Sequence, residues 1–180
     1  MVFSYALHGI MEGFKIAQSY KKAETMHLSK NSQKVQEYLN NFGLKLEVLE
    51  LAESTRTAQE AASAAGCEVG QIVKTLVFRS GEEAQLFLVS GKNQLDVKKV
   101  CQLIGKTITK ADADFVKEKT GYAIGGVPPV ALSSQIETFI DRDLLGYEDV
   151  WAAAGTPHAV FQLKSNDLPR LTGGKVIEIC

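Results

Sequence analysis

Residues 70–78 read Gly70-Gln-Ile-Val-Lys-Thr-Leu-Val-Phe78, a run of apolar and β-branched residues with one lysine inside it. Side chains of an extended strand alternate between two faces, and both faces of this stretch are mostly apolar, which is typical of a strand inside a domain. A buried ammonium group is costly unless it meets an anion, reaches water in a cleft or loses its proton, so Lys74 is a candidate functional residue. The alternative is that Lys74 lies near the strand end and pairs with a surface carboxylate.

Short segments on both sides of this strand predict the rest of the fold. A turn over residues 80–83 precedes an apolar run over 84–90, which predicts a β-hairpin. Thr57 and Glu60 have the spacing of a capping box, and the alanine-rich helix that follows ends at Gly66. Further helices are predicted from Ser32 to residue 42, over 96–104, over 112–120 and from Ser165 or Asn166 to 171. Further strands are predicted over 44–51, 106–109, 135–141, 147–153, 158–163 and 176–179.

Strands outnumber helices in this pattern, and hairpins alternate with helical crossovers. The expected fold is α+β, with a mixed, curled, barrel-like β-sheet surrounded by helices. Residues 32–180 are predicted to form this single domain. Residues 1–31 have only partial helical spacing and are predicted to be an N-terminal extension, either a peripheral helix or disordered.

Composition narrows the function. The 20 basic and 21 acidic residues give a net charge of -1, so no overall positive field attracts DNA or RNA of any sequence. The cysteines, at 67, 101 and 180, are odd in number and lack metal-ligand spacing, which argues against disulfides and a zinc site and favours a reducing cytoplasm. No apolar run reaches the roughly 18 to 20 residues needed to span a bilayer, so we expect no membrane span.

Two loops interrupt the regular pattern. Gly125-Gly-Val-Pro-Pro129 and Ala154-Gly-Thr-Pro-His158 combine glycines, which leave backbone N–H groups open to a ligand, with prolines that hold the chain rigid. We expect both loops to meet Lys74 at one cleft. The alternative for each loop is an ordinary tight turn.

These three segments, in this order and at these separations, resemble the YbaK/prolyl-tRNA-synthetase-associated domain family. The resemblance covers about residues 32–179 and rests on Gly70 to Phe78, Gly121-Tyr-Ala-Ile-Gly-Gly-Val-Pro-Pro129 and Ala153-Ala-Gly-Thr-Pro-His158. It implies a trans-editing aminoacyl-tRNA deacylase, most often one that removes a wrong amino acid from tRNA(Pro). The same resemblance implies the barrel-like fold, a cytoplasmic location, the acceptor end of a mischarged tRNA as substrate and prolyl-tRNA synthetase as a partner, with no DNA partner.

The resemblance also implies roles for individual residues. Lys74 is expected to hold the phosphate or backbone region of the terminal adenosine, and residues 125–129 to frame the aminoacyl ester. Ala154 and Gly155 are expected to orient the substrate, and His158 to limit the size of the pocket. The catalytic set is therefore Lys74, Gly125, Gly126 and Gly155, and the substrate-binding set is Lys74, Thr57, Val127, Pro128, Pro129, Ala154 and His158.

An aminoacyl ester is already activated, so positioned water and stabilisation of the oxyanion suffice, without a strong protein nucleophile, metal or cofactor. Cys67 follows the alanine-rich helix, and we interpret it as a small buried thiol rather than a nucleophile. Asp141 and Asp143 flank a turn and could pair with Lys74, but we interpret them as solvated carboxylates. The alternative function is a non-catalytic module that binds an aminoacyl-adenosine or nucleotide, or docks on a synthetase. The sequence does not identify the amino acid removed.

Overall fold

The structure, a computed structural model, describes residues 28–52, 54–55 and 57–180. Five α-helices and eight strands lie in this part of the chain. The helices are α1 (Lys30–Asn41), α2 (Ala58–Ala65), α3 (Val97–Ile104), α4 (Ala113–Thr120) and α5 (Leu168–Thr172). The strands are β1 (Val48–Glu50), β2 (Ile72–Ser80), β3 (Glu83–Ser90), β4 (Thr109–Lys110), β5 (Glu137–Asp141), β6 (Asp149–Ala153), β7 (Ala159–Lys164) and β8 (Lys175–Ile177).

The strands form one mixed sheet in the order β1-β7-β6-β2-β3-β5-β8, and β4 pairs with β2 beside this path. β2 and β3 form the predicted antiparallel hairpin at its centre, in register from Val73 opposite Ser90 to Ser80 opposite Glu83. Three pairs are parallel, namely β2 with β6, β3 with β5 and β5 with β8. The mixed sheet flanked by helices is confirmed, but the sheet stays open, because β1 and β8 are its two ends.

One edge of β2 is paired only in part. β3 covers the other edge along its length, whereas this edge meets β6 only at Ile72 and Val73 and β4 only at Phe78 and Arg79. The intervening residues 74–77 therefore face a gap in the sheet. Unpaired strand edges expose backbone donors and acceptors that are free to form hydrogen bonds with another molecule or chain segment.

Three apolar clusters explain how β2 is buried. Its inner face contributes Val73 to the main core, with Val77 packed beside it. On the outer face, Ile72 packs with the alanines of α2, and Phe78 packs in the cluster that includes Val100 of α3. Lys74 lies on this outer face between the two helix-covered ends, so the lysine occupies the place on the strand that neither helix covers.

The capping box predicted at Thr57 and Glu60 is confirmed. Thr57 accepts from the Glu60 backbone N–H while the Glu60 carboxylate accepts from Thr57 N–H, a complete capping box. Asp96 caps α3 and Asp112 caps α4 through their carboxylates. In the part of the chain that the structure describes, no helix has the length and apolar character of a membrane span.

The chain ends of the domain differ from the prediction. α1 begins at Lys30 and is capped by Ser29, so Ser32 lies inside the helix, where its buried hydroxyl donates to Glu50 (2.9 Å). This hydrogen bond joins residues that lie 18 positions apart in the chain, so the local sequence around Ser32 does not reveal it. The predicted extension falls outside the described residues up to position 27, while Leu28 packs against the main core.

Two other predicted boundaries are wrong. The strand predicted over 44–51 is limited to β1, because only these three residues reach β7. Neither Ser165 nor Asn166 caps α5. Ser165 opens a 3-10 turn and donates its hydroxyl to the Tyr147 carbonyl oxygen, and the helix begins at Leu168 with Pro169 in its first turn.

Candidate functional site

A cleft of about 330 Å³ lies at the gap beside β2. Its walls are α2, the β2 residues from Ile72 to Leu76, the end of β6 and the glycine loop at Ile124–Val127. The helix wall consists of alanines, and Trp151 of β6 packs in the same apolar cluster as those alanines. The polar side chains on the lining are those of Thr55, Thr57, Lys74 and Thr75.

The Lys74 side chain is half-buried in this cleft, and its ammonium donates to the backbone carbonyl oxygen of Asn93. Partial burial lowers the pKa of Lys74 from its ordinary value, while the negative charge of Asp141 opposes that shift. The negative charge of Asp141 balances the positive charge of Lys74 only in part. The ammonium can therefore attract an anionic ligand. Its position matches neither a fully solvated surface lysine nor a buried ion pair.

Asp141 supports Lys74, a role that the sequence offered only as the less favoured alternative. Asp141, interpreted from sequence as a solvated turn carboxylate, is 1% exposed. Its Oδ2 accepts from Ser90 N–H (3.0 Å) and from the Asn93 amide (2.9 Å), and its Oδ1 accepts from Asp143 N–H (3.1 Å). The carboxylate thus fixes the turn after β3 whose carbonyl receives the lysine. The available signal was that Asp141 follows directly on the apolar run of β5.

The two predicted loops meet each other. A Cβ on Gly126 would lie 2.7 Å from Thr156 Cα, and one on Gly125, whose φ is +90°, would lie 3.9 Å from Pro157. Thr55 donates both its N–H and its hydroxyl to the Pro157 carbonyl oxygen (2.7 and 2.8 Å). The later loop therefore supports the glycine loop and the segment that leads into α2, both of which line the cleft.

The predicted site residues take different places in this arrangement. Thr57, Lys74, Gly125 and Val127 line the cleft. Gly126 is the contact point between the two loops, and Ala154 is fully buried behind the cleft wall. Their binding and catalytic roles stay predictions.

The remaining predicted residues do not line the cleft. Gly155 packs against Asn31 of α1, whose amide donates to its carbonyl oxygen (3.3 Å). Pro128 is buried, and Pro129 borders a separate depression beside α1. His158 is exposed, and its backbone N–H donates to the Thr156 hydroxyl (3.2 Å).

Backbone N–H groups on the glycine loop are the donors that the cleft offers. Gly126 N–H is taken by the Ala123 carbonyl oxygen (3.0 Å). Among the described residues, no acceptor takes the N–H of Gly125 or Val127, and both residues line the cleft. Donors of this kind stabilise a developing oxyanion, provided that the ester carbonyl reaches them.

Other candidate chemistries have weaker support. Burial raises the pKa of the Cys67 thiol to about 11, and Glu68 adds to the shift, so the thiolate is scarce at neutral pH. Asp141, Asp143 and Cys180 bring their ligand atoms within 4.8 Å of one another, the one such group found among the residues described. Both carboxylates of that group already accept from Asn93.

Residues 52–171 match the model of the aminoacyl-tRNA editing domain. In a crystal structure described as a candidate trans-editing enzyme for prolyl-tRNA synthetase, 98% of the chain superimposes on 84% of this chain, with a TM-score of 0.81 and 50% sequence identity. EbsC of Enterococcus faecalis, proposed to be a Cys-tRNA(Pro)/Cys-tRNA(Cys) deacylase, is 27% identical over 130 residues, which are 71% of this chain and 79% of that protein.

A longer relative contains the same domain. Proline--tRNA ligase of Kosmotoga olearia is 34% identical over 128 residues, and the match covers 69% of this chain but only 21% of the ligase. The family model covers most of the described domain, including the Lys74 strand, the glycine loop and the later loop. The chain belongs to the aminoacyl-tRNA editing domain family, as its three sequence motifs predicted.

Proposed function

We propose that this protein is a trans-editing deacylase that hydrolyses the ester of a mischarged aminoacyl-tRNA, with tRNA(Pro) as its substrate. The observation that carries the proposal is the pairing, in one cleft, of the Lys74 ammonium with a glycine loop on which the N–H groups of Gly125 and Val127 have no acceptor among the described residues. The cation suits an RNA phosphate, and the loop suits an ester carbonyl.

Hydrolysis of the aminoacyl ester requires little from the protein beyond positioning the substrate and stabilising the charge that develops. Lys74 anchors the terminal nucleotide, and the N–H groups of Gly125 and Val127 receive the negative charge that develops on the carbonyl oxygen. Water attacks the ester carbon, the ester bond to the ribose breaks, and the ribose oxygen leaves with a proton. The neighbouring ribose hydroxyl is close enough in the substrate itself to assist that proton transfer. The high pKa of Cys67 supports direct attack by water rather than a thiolate intermediate.

The tRNA assignment rests on the relatives. EbsC is named for Cys-tRNA(Pro), one neighbouring structure for prolyl-tRNA synthetase, and the Kosmotoga protein is itself a proline--tRNA ligase. A net charge of -1 gives the protein little general attraction for RNA. We therefore propose that prolyl-tRNA synthetase presents the charged tRNA, and that the protein works in the cytoplasm, where translation occurs.

A panel of charged tRNAs tests this function. The purified protein is mixed with tRNA(Pro) carrying alanine, cysteine, serine or proline, with and without prolyl-tRNA synthetase, and the released amino acid is measured. We expect release from at least one mischarged tRNA(Pro) and no release of proline. Binding of an aminoacyl-adenosine analogue without hydrolysis of any tRNA would instead support a non-catalytic binding module.

A further inference from the structure

A second chamber of about 230 Å³ adjoins the cleft on the other side of Ile124. The two spaces share Thr75, Leu76 and the glycine loop on their linings, so they lie side by side. Ile124 is a large apolar side chain, yet it is 59% exposed at this boundary. The inner walls of the second chamber are apolar and include Phe78 and Val116, and Lys110 supplies a positive charge on its lining.

The side chain of Thr75 carries an unsatisfied hydroxyl at the boundary between the two chambers. Its hydroxyl oxygen is buried and has no hydrogen-bond partner among the described residues. Burying a hydroxyl without a hydrogen-bond partner costs free energy, and such groups in native proteins are often satisfied by a bound ligand or water. The residue lines both chambers.

The backbone of Thr75 also faces the gap in the sheet. On the β3 side of β2, the Ile72 carbonyl oxygen accepts from Gly91 N–H (2.8 Å). Backbone groups of successive strand residues point to opposite edges, so those of Thr75 point away from β3. Neither the register with β6 nor that with β4 includes Thr75. One residue thus presents an N–H, a carbonyl oxygen and a hydroxyl at the mouth of an apolar chamber.

We propose that the second chamber binds the adenine base of the terminal nucleotide and that Thr75 recognises this base. Adenine is a flat, largely apolar ring with an acceptor nitrogen beside an amino donor, which an adjacent N–H and carbonyl oxygen complement. The apolar walls accept the faces of the ring. The base then lies on the far side of Ile124 from Lys74, and its ribose spans the boundary toward the glycine loop. This inference rests on the proposed function, because it assumes an aminoacyl-nucleoside ligand.

Two non-hydrolysable probes test the inference by binding alone. They are adenosine and inosine, each carrying alanine through an amide at the 3′ position, and their affinities are measured by calorimetry. Inosine keeps the purine ring but replaces the acceptor nitrogen and amino donor of adenine with a ring N–H donor and a carbonyl acceptor. Wild-type protein is expected to prefer the adenosine probe. In the proposed complex the Thr75 hydroxyl accepts a hydrogen bond from the adenine amino group. The Thr75→Val variant keeps the side-chain shape but removes the hydroxyl, and we expect the adenosine probe to bind about fivefold more weakly and the inosine probe to bind unchanged.

Stability separates recognition from structure in this variant. Because the hydroxyl has no partner in the free protein, Thr75→Val is expected to melt at the same temperature as wild type or higher. Thr120→Val is the matched control, since the buried Thr120 hydroxyl bonds to the Val116 carbonyl oxygen (2.7 Å), and that variant should lose stability but keep the base preference.

The outcomes distinguish this inference from the function on which it rests. Equal binding of the two probes to wild type, or an unchanged preference in Thr75→Val, overturns base recognition in the second chamber while tRNA hydrolysis stands. Failure of both probes to bind overturns the inference as well and also removes the aminoacyl-nucleoside ligand from the proposed function.

Discussion

The ammonium of Lys74 and the carboxylate of Asp141 both form hydrogen bonds with the same residue, Asn93. Lys74 donates to the Asn93 carbonyl oxygen, and the Asn93 amide donates to Asp141 (2.9 Å). The buried carboxylate therefore fixes the turn that holds the lysine in the cleft, and it also contributes the charge that opposes the loss of the lysine proton. Lys74 owes its position to a residue at the end of β5, far away in sequence.

Replacing Asp141 with asparagine tests this arrangement. The carboxylate accepts three hydrogen bonds, and an amide places a donor against one of these N–H groups. We expect Asp141→Asn to lower the free energy of unfolding by about 1 to 3 kcal/mol and to weaken deacylation. Denaturant unfolding and the tRNA assay measure the two effects.

Asp143→Asn is the control for this prediction, because Asp143 also accepts from Asn93 (3.0 Å) but is 48% exposed. Its effect on stability should be clearly smaller. Equal stability losses in the two variants would show that burial of Asp141 is not what makes it important.

The close contact between the glycine loop and the later loop leads to a second prediction. Because a Cβ on Gly126 would lie 2.7 to 2.9 Å from the Thr156 backbone, Gly126→Ala must push the loops apart. We expect a loss of about 1 to 3 kcal/mol in stability and reduced deacylation. Gly146→Ala is the matched control, since nothing lies within 4 Å of its added methyl group. A fully active and stable Gly126→Ala variant would contradict this packing.

Ligand binding should depend on pH through Lys74. Burial lowers the pKa of this lysine below its ordinary value of 10.5, with Asp141 opposing the shift. The cation is therefore lost at lower pH than in an ordinary lysine, and affinity for the adenosine probe bearing a 5′-phosphate should fall as the pH rises toward the lowered pKa of Lys74. Calorimetry between pH 7 and 10 measures this. Constant affinity over the whole range would show that the charge of Lys74 does not contribute to binding.

The same shift gives a definite sign for stability. The unfolded chain holds the Lys74 proton more tightly than the folded one, so this group's contribution to the free energy of unfolding rises with pH through the lowered pKa. Binding and stability should thus change in opposite directions at alkaline pH, which separates loss of the cation from general unfolding.

Cys67 should be dispensable for catalysis. A thiol whose pKa is raised to about 11 is protonated at neutral pH, and the side chain packs beside the alanines of α2. Cys67→Ala is expected to retain wild-type deacylation, with a stability change of about 1 kcal/mol or less. Loss of activity in a folded Cys67→Ala protein would reinstate a covalent mechanism.

Local signals in the sequence predicted much of this fold. The β2–β3 hairpin and the capping box at Thr57 depend on residues close together in the chain, and the structure confirms them. The three motifs also predicted the family. By contrast, the gap beside residues 74–77 depends on how β6 and β4 approach β2, and no local pattern encodes that register.

The same distinction explains what was missed in the site. Asp141 looked solvated because arginine and aspartate follow it, yet the parallel pairing of β5 with β3 places its carboxylate under the turn at Asn93. Trp151 and the orphan hydroxyl of Thr75 became visible as cleft residues only once α2 and the glycine loop were in place.

The most direct test of the account is the rate at which Lys74→Met hydrolyses mischarged tRNA(Pro), compared with wild type and with Lys98→Met, an exposed lysine on α3. Methionine keeps the apolar stem of Lys74 but removes the charge. We expect Lys74→Met to remain folded and to lose about 100-fold or more in rate, while Lys98→Met stays close to wild type. Wild-type rates in Lys74→Met would contradict the role of this lysine as the anchor for the tRNA terminus.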